Sequence, residues 1–501
     1  MRLSVILRDA RGARLLRDAE VSGIAYDSRA VRPGYVFFAI PGTVMDGRAF
    51  IPDAARKGAS AVVTEAGEEI PAGVAPEMGF AAVPDARRAL SSASDLFYGQ
   101  PSKELLVVGV TGTKGKTTAC HLVKSVLDAA GEKTGLIGTV HNIVGDEERP
   151  VTRTTPESAD LDALMREMAD KGSTAVVMEA SSHALALERV EDILFDAAVL
   201  TNIGRDHLDF HKTMEAYAGA KRRLFEMLEK SRGVKARAMG PVAAVNADDP
   251  YAELFISATR APVVTYGLSQ SAQVRAEDVA QSANGTDLTL YLDGKRAKVH
   301  LALPGRFNVY NALAAAAVAF GFGMTPGAIS SGLSSAKRVR GRVEVVPVPA
   351  DFTVWVDYAH TPESLADILA LAREAAGGKV IAVFGCGGDR DRGKRRVMGK
   401  IAGEASDFTI ITDDNPRTED EDAILDEIEA GVRESRGASA FVRIKDRRQA
   451  INEAIRLAGP GDVVVLAGKG HETYQQFKDN TIHFDDVEVA GQAMRHFSRG
   501  G

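Results

Sequence analysis

The apolar run Leu105-Leu106-Val107-Val108-Gly109-Val110 ends at Thr111-Gly112-Thr113-Lys114-Gly115-Lys116-Thr117-Thr118. This wording predicts a buried strand that opens through a glycine-rich turn into a helix running to about Ala130. A helix N-terminus presents backbone N–H groups and a partial positive charge, and together these hold phosphate oxygens. Gly112, Thr113, Lys114, Gly115 and Thr118 would surround the phosphates, Lys116 would reach the terminal ones, and the Thr117 hydroxyl would ligate Mg²⁺. A nucleoside triphosphate site is therefore expected. The common form of this loop carries a glycine five residues before its Gly-Lys pair, where this chain has Val110.

Other polar clusters also follow predicted strands. Glu179-Ala180-Ser181-Ser182-His183 comes after the strand residues Val176–Met178. A carboxylate at a strand end beside the loop suits Mg²⁺, which prefers hard oxygen donors. The same segment also reads as a helix cap through Ser181 and Ser182. In Thr201–His211, the trio His207, Asp209 and His211 admits a zinc reading, a Mg²⁺ or phosphate role, and plain solvated histidines. With no cysteine ligand and a nucleotide motif already present, the Mg²⁺ or phosphate role is preferred. Four further clusters, Asp357–Pro362, Gly385–Arg395, Asp413–Arg417 and Gly468–Glu472, end predicted strands, where an open α/β sheet collects ligand contacts. No base is fixed beside Cys386, which reads as a small residue in a tight turn.

The elements that position these groups alternate strand and helix, so the fold class is α/β. At 501 residues the chain should hold about three domains. The expected division is 1–100, 101–337 and 338–501. The first block contains short strand-like pieces (Tyr35–Ile40, Ala61–Thr64) and the polar stretch Asp27-Ser28-Arg29. The second carries strands at Leu105–Val110, Thr174–Glu179, Ala197–Asn202 and Val242–Asn246, a central P-loop-type and mostly parallel sheet. It continues with a hairpin, Thr286–Leu292 and Ala297–Leu303, turning at Asp293-Gly294, and a helix of small residues over Asn308–Phe320. The third restarts the alternation at Thr353–Val356, Val380–Phe384, Phe408–Thr412 and Val463–Ala467, a doubly wound, Rossmann-like domain.

A net charge of −7 argues against nucleic acid as a partner. Two cysteines, Cys120 and Cys386, support no disulfide framework and fit a reducing cytosol. The N-terminal stretch lacks a signal-peptide core, and no apolar run approaches the ~20 residues of a membrane span. A cytoplasmic protein without membrane insertion, and a monomer, is the expectation.

Taken together, these segments resemble the Mur ligases, ATP-dependent amide-bond-forming enzymes of peptidoglycan precursor synthesis. The resemblance rests on Gly112–Thr118, Thr154-Thr155-Pro156-Glu157, Glu179–His183, Asn202–His211, Gly305–Asn311, Gly341-Arg342-Val343-Glu344 and Asp357–Pro362. Asp27-Ser28-Arg29, Pro33-Gly34 and Asp46-Gly47 resemble the uridine-nucleotide domain of the branch that adds the third residue of the stem peptide. The resemblance implies UDP-N-acetylmuramoyl-L-alanyl-D-glutamate as substrate, bound through Ser28, Thr154, Thr155, Ser182 and Arg189, with ATP and Mg²⁺ as cofactors. It implies an acyl-phosphate intermediate attacked by the incoming amine. Lys116, Glu179, His207 and Lys221 would be catalytic. Thr117 would hold one Mg²⁺, Glu179 with His207 a second, and Lys221 would be carbamylated and hold metal as its carbamate. Asn308, Arg342, Asp357 and His360 match residues that grip the nucleotide from the far side, which implies closure of the third block onto the second.

The segment Asp414-Asn415-Pro416-Arg417 matches family members whose amino-acid substrate is meso-diaminopimelate. That molecule carries a carboxylate and an ammonium at its far end, where lysine has only the ammonium. Arg417 and Arg390 can fork onto the carboxylate, while Glu472, the Gly468 carbonyl and the Asn415 side chain receive the ammonium, with Asp414 beside them. A lysine-adding relative, a folate-polyglutamylating cousin and a nucleotide-dependent switch without ligase chemistry are the alternatives. Intact Lys116, Glu179 and His207 speak against the last, and the uridine-type first block against the folate reading.

Overall fold

Every residue of the strand Leu106–Thr111 is buried, the mark of a strand covered on both faces. The computed structural model describes residues 1–501 apart from 43–44, 66–69, 72, 236–239, 348–349, 436–440 and 498–501. The chain forms two compact units, one of residues 1–276, 290–297 and 310–333, the other of 277–289, 298–309 and 334–501.

In the first unit, β1 (Arg14–Arg17), β2 (Gly23–Ala25), β3 (Tyr35–Ala39), β4 (Ala61–Glu65) and β5 (Gly79–Val83) form a sheet in the order β1-β5-β4-β3-β2. Only β1 runs antiparallel. The larger sheet begins with β6 (Leu106–Thr111), β7 (Thr134–Ile137), β8 (Asn142–Val144), β9 (Glu147–Arg149), β10 (Ala175–Glu179), β11 (Ala197–Leu200), β12 (Val242–Asn246) and β13 (Val263–Gly267). Their order is β13-β12-β11-β6-β10-β7-β8-β9. All pairings from β7 to β13 through β6 are parallel, and β8 and β9 add an antiparallel edge. Because β6 lies between β10 and β11, the loop after it opens at a topological switch point, where such sheets bind ligands. Met178, Leu200, Val107, Met165 and Phe225 belong to the core beneath it.

Beyond β13 the sheet continues into β14 (Val274–Ser282), β15 (Gly285–Leu292) and β16 (Lys295–Leu301), strands whose residues are divided between the two units. The expected hairpin is present, turning with positive φ at Asp293 (44°) and Gly294 (86°). Its second strand starts two residues earlier than the alternation suggested. The short edge pair β8–β9, brief and half-solvated, had escaped the sequence reading, as had the interior strands β7, β13 and β14.

In the second unit, β17 (Glu344–Val345), β18 (Thr353–Asp357), β19 (Val380–Phe384), β20 (Phe408–Ile411), β21 (Phe441–Arg443) and β22 (Val463–Ala467) are ordered β17-β18-β22-β19-β20-β21. Apart from β17 the pairings are parallel, and both faces are packed, as a doubly wound domain requires. A small hairpin, β23 (Tyr474–Gln476) and β24 (Thr481–His483), lies apart from this sheet. The carboxyl ends of β18, β19, β20 and β22 lead into His360, Arg390, Asp414 and Glu472 respectively. Among the described residues, no helix is long and apolar enough to cross a membrane.

Candidate active site

The loop after β6 explains its own unusual wording. Val110 and Thr111 are still in the strand, so the bend begins only at Gly112. There φ is +143°, and a Cβ would stand 1.9 Å from Thr201 Oγ1; at Gly115, φ is +85° and a Cβ would meet Asn311 Oδ1 at 2.4 Å. Neither position accepts a side chain. The helix Lys116–Ala129 starts directly behind, and Lys116 Nζ donates to the carbonyls of Gly112 and Thr113, both at 2.9 Å.

Two residues that the sequence placed in a polar cluster without a role of their own hold this loop. Thr201 Oγ1 donates to Lys114 O at 2.7 Å. The Asn202 side chain accepts from Lys114 N at 3.0 Å and donates to Lys114 O at 2.9 Å. The loop is therefore clamped at Lys114 through its backbone. Their signal was position alone: they directly follow β11, the strand beside β6.

Glu179, at the end of β10, is buried. Its Oε1 accepts from Thr117 Oγ1 at 2.9 Å and from Thr139 N at 2.8 Å. Its carbonyl accepts from Thr155 Oγ1 at 2.7 Å. Thr154 Oγ1 accepts from Thr139 Oγ1 at 3.1 Å, and Arg189 pairs with Glu157 and donates to Thr155 O at 3.3 Å. Thr154, Thr155 and Arg189 therefore gather beside Glu179. Ser181 caps the short helix Ser182–Ala186 by accepting from Ala184 N at 3.2 Å, while the buried Ser182 Oγ has no hydrogen-bond partner among the described residues. Ser28 lies instead in the turn after β2, where its carbonyl accepts from Lys57 Nζ at 2.9 Å.

Lys221 is not the surface lysine that its helix position would suggest. On the helix Met214–Glu226 it is buried, and its Nζ donates to Gly112 O at 2.6 Å. It stands 4.6 Å from the ring centre of Tyr217, whose hydroxyl lies 3.0 Å from Thr113 Oγ1. Burial, and after it the charge of Lys116, holds the Lys221 ammonium well below the ordinary lysine value. His207, half-exposed with φ of 51°, packs its ring 4.7 Å from that of His183. Burial lowers the pKa of both His183 and His211, and His211 Nε2 has no hydrogen-bond partner among the described residues. Among the described residues no three His, Cys, Asp or Glu side chains converge closely enough to hold a metal ion.

The second unit gathers its own cluster. Arg417, with φ of 52°, donates from Nη1 to Gly388 O at 2.8 Å. Asn415 Nδ2 donates to Glu472 Oε2 at 2.8 Å, and Asn415 Oδ1 accepts from Gln476 N at 2.8 Å. Asp414 is packed so close to Gly468 that a Cβ there would sit 2.6 Å from Asp414 Oδ2. Burial and then Asp414 push Glu472 above the ordinary carboxylate value. Arg390 is exposed, donates to Asp389 O, and with Arg417 flanks Gly387. Nearby, Asp357 accepts from Val343 N at 2.8 Å and is raised by burial. Arg342 lies 5.5 Å from the centre of the Tyr358 ring, and its buried Nε has no hydrogen-bond partner among the described residues. His360 Nδ1 is 2.9 Å from Tyr358 O, and burial lowers its pKa. Asn308 Nδ2 donates to Pro304 O at 2.7 Å. Cys386 is buried and its thiol is pushed up to about 12, which fits a packing role rather than a nucleophile.

A glycine-rich loop of P-loop type at the switch point of a mostly parallel sheet, backed by a buried carboxylate and a buried lysine, defines the class of P-loop-type, nucleotide-dependent α/β enzymes. Three family descriptions match in sequence: "Mur ligase family, catalytic domain" over 20–98, "Mur ligase middle domain" over 110–319 and "Mur ligase, glutamate ligase domain" over 341–470. The chain belongs to the Mur ligase family. It is 46% identical over 496 residues, 96% of each chain, to a Geobacter metallireducens protein named UDP-N-acetylmuramoyl-L-alanyl-D-glutamate–2,6-diaminopimelate ligase. It is 44% identical over 477 residues, 95% of each chain, to a Bacillus velezensis protein of the same name. A solved structure carrying that name matches 95% of both chains with a TM-score of 0.70 and 32% identity.

Proposed function

We propose that this chain is an ATP-dependent ligase that joins meso-diaminopimelate to UDP-N-acetylmuramoyl-L-alanyl-D-glutamate in cytoplasmic peptidoglycan precursor synthesis. The observation that carries the reading is the pairing of the Asn415–Glu472 hydrogen bond with Arg417 at the carboxyl ends of one sheet. It offers a carboxylate for an ammonium and guanidinium groups for a second carboxylate, the two charges that diaminopimelate has at its far end.

The ATP γ-phosphoryl group is transferred to the substrate carboxylate, converting an oxygen that leaves poorly into phosphate. The free amine then attacks the acyl carbon, and the C–N bond forms as phosphate departs. Two anions must first approach each other, and Lys116 together with the loop N–H groups lowers that repulsion. The donor set fits Mg²⁺, since the Thr117 hydroxyl and the Glu179 carboxylate meet as hard oxygens at 2.9 Å. When bound, Mg²⁺ would neutralise phosphate charge. His207, and Lys221 as a carbamate, would supply further ligands. Carbamylation adds CO₂ to the neutral amine with loss of one proton, and burial keeps Lys221 closer to that neutral form. Thr154, Thr155, Ser182, Arg189 and Ser28 are proposed for the uridine-linked dipeptide, and Asn308, Arg342, Asp357 and His360 for the nucleotide.

The test is ADP release from ATP and the uridine-linked dipeptide with meso-diaminopimelate or L-lysine added in turn. Release that depends on meso-diaminopimelate supports the reading. Release with lysine alone assigns the lysine-adding activity, and release with neither overturns ligation.

A further inference from the structure

Lys469 is 0% exposed although its side chain bears a charge. A buried ammonium persists only where nearby groups compensate its lost hydration. Its Nζ lies 3.4 Å from Asn415 Oδ1 and 3.4 Å from Glu472 Oε2, and 5.6 Å from the centre of the Tyr474 ring. We infer that Lys469 is a positioning residue of the amino-acid site, fixing the Asn415 amide and the Glu472 carboxylate so that one carboxylate oxygen faces the substrate ammonium. The inference rests on the proposed function and goes beyond it, since neither the loop wording nor the charge pattern assigned this lysine a role.

The geometry works through the amide. Asn415 Oδ1 has two donors aimed at it, Gln476 N at 2.8 Å and Lys469 Nζ. Rotating the amide by half a turn would set its NH₂ against both, so Nδ2 must point to Glu472 Oε2. Asn415 and Lys469 then converge on that one oxygen. Among the described residues the hydrogen bonds to the Glu472 carboxylate all fall on Oε2, which leaves Oε1 to accept from a ligand. Asp414 lies close enough to work against the charge of Glu472, and Lys469 offsets it. The flanking Gly468, with φ of +109°, lets the chain turn Lys469 inward while its own backbone passes close to Asp414.

Steady-state kinetics of the full-length enzyme with ATP, the uridine-linked dipeptide and meso-diaminopimelate test this. Lys469→Met is expected to raise KM for meso-diaminopimelate about 10- to 100-fold, the scale of a lost hydrogen bond to a charged group. KM for the other two substrates should stay within about 2-fold, because no role in binding them is assigned to this lysine. Glu472→Gln should show a similar rise. The double variant should be no worse than the poorer single one, because Lys469 acts through Glu472. Multiplying fold-changes in the double variant, or an unchanged KM in Lys469→Met, overturns the inference. If the Lys469→Met chain does not fold, the double variant, which leaves no buried unpaired carboxylate, is compared with Glu472→Gln. Equal KM values then support the inference, and a further 10-fold rise on the same scale overturns it. Lack of diaminopimelate-dependent ADP release in the unaltered enzyme overturns the proposed function instead.

Discussion

The hydroxyl of Thr117 donates to Glu179 Oε1 at 2.9 Å across 62 residues of chain. The two meet because β6 and β10 are parallel neighbours with Val110 opposite Glu179. The loop residue and the carboxylate therefore leave adjacent strands at the same level. This bond joins the phosphate loop to the strand that also anchors Thr155.

Removing that carboxylate separates charge from structure. Glu179→Gln should lower kcat by about 10²-fold or more, as loss of a group that acts on developing charge does. Glu179→Ala should also cost about 1–3 kcal/mol of folding stability, because the Thr117 hydroxyl and the Thr139 N–H lose a buried acceptor. ADP-release kinetics and urea unfolding measure the two effects.

Lys221 predicts a dependence on pH and CO₂. Its folded-state pKa lies well below the ordinary lysine value, so the neutral amine grows as pH rises through that lowered pKa. Carbamylation should increase in the same direction, read as a ¹³C carbamate signal with labelled bicarbonate. Lys221→Arg should give no signal and lose about 10²-fold or more in kcat.

Arg417→Ala should raise KM for meso-diaminopimelate by roughly 30- to 1,000-fold, the equivalent of about 2–4 kcal/mol for truncating a partner in a hydrogen-bonded charge pair. Arg417→Lys should recover only part of this, because an ammonium cannot make the two-pronged contact. The relative use of lysine, measured under the same conditions, should rise in both variants.

Asp95 predicts a stability change with pH. Burial is the largest cause of its rise to about 6, and Gln100, donating to it at 2.9 Å, offsets only part of that rise. The folded state thus favours the protonated acid. Its contribution is complete below the ordinary value of 3.8 and is lost as pH rises through about 6. Asp95→Asn should stabilise the protein by about 1–3 kcal/mol at pH above 7 and change little near pH 4. Urea denaturation at the two pH values measures this.

Much of the site was legible in sequence, because its chemistry is local. Gly112–Thr118 declares itself through the spacing of glycine, lysine and threonine after a strand, and Asp414–Arg417 through charge at the end of another. Lys221 was legible only by resemblance, since a lone lysine on a helix carries no local signal. Thr201 and Asn202 stood in a legible polar cluster, but their role did not show, because their work is to hold another segment's backbone. Lys469 was missed because nothing in its neighbours says that its side chain points inward.

The sequence by itself determined the α/β class, the central strands and the family, since apolar runs, turn residues and loop motifs are set by contacts near in the chain. The tertiary structure alone decided that Lys221 is buried against Gly112, that Glu179 receives Thr117, and that Lys469 faces Asn415 and Glu472. Those relations depend on which strands become neighbours and on which charges lose water together. Burial and strand order are properties of the packed chain, and they alone turn these ordinary side chains into a lysine with a lowered pKa, a shared acceptor and an oriented amide.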